Sequence, residues 1–139
     1  MRKTDALSVI TSKLGPLVLV FGAYLIAFGH VSPGGGFQGG VVLASGVLLL
    51  AIGRGTDDVS ALLTPRLLAR VEATAFALLL IVGLAGMLAG KGFFGNFLAS
   101  RDGSGARVGF IIALNLLIGI KVGAGVAYLC LTLLKDADR

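Results

Sequence analysis

Gly29-His30-Val31-Ser32-Pro33-Gly34-Gly35-Gly36-Phe37-Gln38-Gly39-Gly40 runs straight into Val41-Val42-Leu43-Ala44-Ser45-Gly46-Val47-Leu48-Leu49-Leu50. The first stretch holds six glycines, a proline and the only histidine of the chain. Pro33 lacks a donor N–H, and glycine inside a helix costs about 1 kcal/mol against alanine, so this backbone cannot simply carry one helix onward. The second stretch is as apolar as any in the protein. A glycine-rich turn wedged between two oily runs therefore raises the question of solvent first.

Composition answers it. The 139 residues are 56% hydrophobic and 14% charged, with a mean hydropathy of +0.97. A water-soluble domain carries roughly 25% charged residues, and roughly 20 apolar residues span a hydrocarbon layer of about 30 Å. The expected fold is all-α: one polytopic membrane domain over 1–139. Four transmembrane helices are expected at about 4–29, 37–53, 66–90 and 106–134.

Working outward from the turn, the first helix carries an interfacial lead-in around Leu7, Ile10 and Leu14, Pro16 near the start of its span, and Tyr24 within it. The second helix, of only about 17 residues, either stands nearly upright or begins with its glycine-rich end already inside the apolar layer. Arg54 to Arg70 is a polar loop with room for one interfacial turn. Glu72 falls at the polar edge of the third helix, where an acid suits the helix dipole. Lys91-Gly92-Phe93-Phe94-Gly95-Asn96-Phe97 reads as an interfacial or partner-contacting loop. Eight basic residues fall on one side (Arg2, Lys3, Lys13, Arg54, Arg66, Arg70, Lys135 and Arg139) and three on the other (Lys91, Arg101 and Arg107). By the positive-inside bias both termini are cytoplasmic, and the glycine turn faces outward.

Lys121 is the most informative single residue. It lies near the middle of the fourth helix, where an ammonium costs about 2.5–3.5 kcal/mol on insertion scales. None of the seven acids (Asp5, Asp57, Asp58, Glu72, Asp102, Asp136 and Asp138) falls at mid-depth on this reading, so no partner is expected within the chain. Lys121 must then face water, meet a carboxylate of another subunit, or be held neutral. Asn115 lies six residues earlier, about 120° around the helix, and need not share its site.

Gly119 with Gly123, and Gly86 with Gly90, are small-xxx-small pairs that let helices approach closely in lipid. His30 is either a proton relay at the outer mouth or a helix-end cap. Ser32 and Gln38 are placed to hydrogen-bond backbone freed by the turn. The literal G-x-G-x-x-G over Gly34 to Gly39 lacks the strand and soluble βαβ unit that nucleotide binding requires. No basic stripe suits nucleic acid, and no metal-ligand spacing or catalytic set is legible. Cys130 stands alone in an apolar helix as a small hydrophobe. No cofactor is expected.

The Gly29–Gly40 stretch resembles the signature of the MnhB subunit of Mrp-type (Mnh-type) multisubunit sodium/proton antiporters. The Lys91–Asn96 loop and Leu114-Asn115-Leu116-Leu117-Ile118-Gly119-Ile120-Lys121-Val122-Gly123-Ala124-Gly125 are similar to that family too. The resemblance implies a non-catalytic, multi-pass subunit of a hetero-oligomeric exchanger in a prokaryotic cell membrane. Its partners would be other membrane subunits and the lipid bilayer, with sodium ions and protons as the transported species. It also marks Pro33, Phe37 and Lys121 as functionally sensitive, with Gly34, Gly35, Gly36, Gln38, Gly39 and Gly40 shaping the turn. Similar subunits occur in membrane-bound hydrogenases and related redox-driven complexes, and a purely structural assembly role is the other alternative.

Overall fold

The computed structural model describes residues 5–31, 34–97 and 104–137. Ser32 and Pro33 lie outside the described residues. Five helices follow one another: α1 Asp5–Phe28, α2 Gly36–Arg54, α3 Thr56–Leu62, α4 Pro65–Leu88 and α5 Ser104–Ala137. The described residues contain no strand. Four helices contain spans long and apolar enough to cross a membrane, at Ala6–Phe28, Gly36–Arg54, Pro65–Leu88 and Arg107–Ala137. The exposed surface agrees, since Leu17, Val20, Ile81 and Leu133 all stand outward. Such a surface suits lipid, not water.

Helix ends follow local chemistry. α4 opens at Thr64-Pro65: the Thr64 hydroxyl accepts from Leu67 N at 3.2 Å, and Pro65 takes the first helical position, where its missing N–H is harmless. α1 absorbs the expected interfacial lead-in and carries Pro16 inside one continuous helix. The loop after α2 forms the seven-residue α3, with Asp57 and Asp58 in its first turn. α5 is the longest element at 34 residues, about 51 Å at 1.5 Å per residue.

The packing order is α1, α2, α5, α4, with α2 against both α1 and α5, and α4 against α5. α1 and α2 form an antiparallel hairpin in which glycines receive the facing helix. Gly15 meets Leu50, Gly22 meets Leu43, Gly46 meets Leu19 and Gly53 meets Thr11. α2 and α5 run in the same direction, because Gly36 lies against Asn115 and Gly40 against Gly119 and Gly123. The buried cluster at their junction is built from small residues, Ala44, Ala51, Ala124 and Ala127, with Val59, Leu68 and Leu131.

This register sets the depth of the turn. Gly36 stands opposite Asn115, eleven residues (115 − 104) past the first residue of α5, or about 16 Å along the helix. The α1–α2 hairpin tip is therefore recessed below the start of α5. Gly34 and Gly35 take φ values of 154° and 128°, a region that side-chain-bearing residues rarely adopt. That backbone lets the chain reverse tightly beside α5.

At the other hairpin the structure departs from expectation. Gly86 and Gly90 bring no two helices together among the described residues. A Cβ on Gly86 would meet the backbone of Gly92 and Gly95, and Gly90 lies beyond the end of α4 at φ 70° with open space around it. The glycines instead let the Lys91–Phe97 loop fold back onto its own helices. The Phe93 ring covers Gly83, and Phe97 meets Phe110 edge-on at 5.7 Å.

Candidate functional site: an ion pair in the spanning region

Lys121 has a partner in its own chain. Its Nζ lies 3.5 Å from Glu72 Oε1, across the α4–α5 contact. This corrects both the expectation of an unpartnered lysine and the placement of Glu72 at a polar edge. Glu72 is seven residues past Pro65, about 10 Å into α4, and lies within the span Pro65–Leu88. Antiparallel packing of α4 and α5 brings the two to the same level.

A local signal for Glu72 is present in the sequence. Leu68, Ala75, Leu79, Gly83 and Gly86 form the buried stripe of α4, and Glu72 sits on that stripe at helical spacing. An acid on the packed face of a spanning helix needs a cation opposite, and α5 carries Lys121 there. Gly125, one turn beyond Lys121, completes the site. A Cβ at Gly125 would lie 3.0 Å from both Cδ and Oε1 of Glu72, so the glycine leaves room for the carboxylate to cross α5. Phe76, one turn beyond Glu72, places its ring centroid 5.7 Å from Lys121 Nζ, within cation–π range.

The pair is not enclosed. The Lys121 and Glu72 side chains keep 34% and 36% of their surface open. They open onto two adjoining grooves of about 330 and 380 Å³. Ala69, Ala73 and Phe76 line the first, and the second extends along α5 past Val122, Gly125 and Tyr128 to Leu129, with Phe37 of α2 as its far wall. The structure thus brings Phe37 and Lys121 to one groove and adds Glu72 to them.

The remaining candidates lie elsewhere. Asn115 packs at the glycine turn, its carbonyl against Gly36 and its side chain near Gly35. Gly39 faces Ile26 and Gly22 of α1, Gly40 and Gly119 meet at the α2–α5 contact, and Gln38 Oε1 lies over Gly34. His30 is half-buried at the hairpin tip and lines neither groove beside Lys121. Its Nδ1 is buried without a hydrogen bond to the described residues. No group of three metal-ligating side chains occurs among the described residues.

A family described as a domain related to the MnhB subunit of Na+/H+ antiporter matches residues 6–128. The chain belongs to the MnhB family. The match takes in the glycine turn, Glu72 and Lys121. Over 95 residues the chain is 32% identical to a Na(+)/H(+) antiporter protein of the MnhB type from Bacillus subtilis, covering 66% of each protein. Over 91 residues it is 29% identical to the equivalent antiporter protein from Alkalihalophilus pseudofirmus, covering 66% of this chain and 62% of that one. An uncharacterized protein of Methanocaldococcus jannaschii is 28% identical over 131 residues, 89% of this chain but 50% of its own length. The chain thus spans about half to two thirds of these MnhB relatives. It is a multi-pass protein of the cell membrane.

Proposed function

We propose that this MnhB-family chain is a non-catalytic subunit of a multisubunit Na+/H+ antiporter, working beside other membrane subunits with both termini in the cytoplasm. The family match over residues 6–128 carries this reading. The Lys121–Glu72 pair adds a reason to place ion handling here and not only assembly. Ionisable groups inside a spanning region are expensive unless paired, and they mark ion or proton paths. Glu72 can hold either the Lys121 ammonium or a passing cation, and Lys121 can release a proton when the pair opens. Phe37 narrows the groove beside them.

The test uses inverted vesicles from antiporter-deficient cells that express the complete complex with or without this chain. Omission should abolish the sodium-driven collapse of an imposed proton gradient, and full exchange without the chain would refute the proposal. Lys121→Ala in the assembled complex should lower exchange about tenfold or more, as expected for a paired intramembrane charge. Unchanged exchange with assembly intact would reduce the chain to a scaffold.

A further inference from the structure

Lys121 carries three N–H donors. Among the described residues they meet one carboxylate oxygen, at 3.5 Å, and one aromatic face, at 5.7 Å. The remaining donor capacity points into the open grooves. Both partners lie within apolar spans, where hydrocarbon offers no acceptor and each unsatisfied polar group costs several kcal/mol. Lipid therefore makes a poor cover for this face. Water suits it little better, because Phe37, Val122, Val126 and Leu129 line one groove and Ala69, Ala73 and Phe76 the other. An apolar helix fits such walls, and Gly125 in the floor allows its close approach.

Charge narrows the occupant further. Lys121 and Glu72 sum to zero, so a second carboxylate would leave a net negative charge inside the membrane. A neutral acceptor would complete the lysine without that cost. We propose that the groove floored by α5 and walled by Phe37 and Glu72 seats a transmembrane helix of another subunit, one that presents a hydroxyl or carbonyl oxygen to Lys121. This inference rests on the chain being part of a larger membrane complex.

The test places p-benzoylphenylalanine at Leu129 or at Ala73 in the complex in its native membrane, with Leu17 on the exposed face of α1 as control. Irradiation should join both groove positions to a transmembrane peptide of one identified other subunit. Lipid adducts alone, a second copy of this chain, or modification of Leu129→Cys (in a Cys130→Ala background) by a charged water-borne thiosulfonate would each overturn the proposal. Glu72→Gln and Lys121→Gln should each lower the copurified complex about tenfold, and the double variant should recover most of it. If Glu72→Gln is harmless and the double variant is as poor as Lys121→Gln, the partner carries a carboxylate and the proposal is wrong. A crosslink within a complex that lacks sodium/proton exchange would instead remove the functional reading and leave the docking surface standing.

Discussion

The two sides of α5 are built on opposite principles. Toward α1 and α2 the contact is made of glycine backbone, with Gly36 and Gly40 against Asn115, Gly119 and Gly123. Toward α4 the contact includes a lysine and a glutamate that leave about a third of their surfaces open. In lipid, helices gain little from apolar contact alone, so close approach through small residues and polar pairing are the two means of holding them together. This chain uses one on each side of the same helix. The glycine side is closed and has no room to adjust, whereas the charged side is open and built to accept something more.

Substitutions that break this contrast should differ in size. Gly40→Leu ranks first, because a Cβ there would lie 2.7 Å from Gly119 O and 3.0 Å from Gly123 N. Backbone cannot move aside as a side-chain tip can, so the cost should be about 3 kcal/mol or more. The variant protein should largely disappear from the membrane fraction on immunoblots. Gly125→Ala comes second. The atoms it crowds are the far end of Glu72, which can swing away, so the chain should persist while the ion pair loosens. Exchange by the assembled complex should fall several-fold, less than for Lys121→Ala, with copurification retained. Gly90→Ala should be smallest: it meets no atom within 4 Å, and its φ of 70° costs an alanine about 1 kcal/mol. Thermal stability of the purified complex should drop slightly and exchange should not change. A large loss at Gly90 would show that the tip of the α4–α5 hairpin makes a contact beyond this chain.

Much of this is legible along the chain for a plain reason. Hydropathy and breakers act locally, so the four spans and the turn at Gly34 and Gly35 can be read residue by residue. Such reading fails where two distant stretches have to be set side by side. Gly86 and Gly90 share the spacing of Gly119 and Gly123, yet one pair serves a folded-back loop and the other a helix contact. Spacing alone carries no information about what lies opposite. The depth of Glu72 is misjudged for a related reason, because counting from Pro65 does not show how far α4 slides along α5. The stripe from Leu68 through Ala75 to Gly86 does mark its face.

By itself, then, the sequence determined the solvent, the number of crossings, the reversal at the glycine turn and, through its motifs, the MnhB family. Only the tertiary structure decided that Lys121 is paired within the chain, that Phe37 shares its groove, and that the α1–α2 tip lies about 16 Å below the start of α5. The physical reason is the same in each case. Transfer into lipid sums over residues one helix at a time, but an ion pair between residues 72 and 121 depends on the rotation and axial register of two helices. Those are set by packing across the whole bundle, where a glycine on one helix admits a side chain of another.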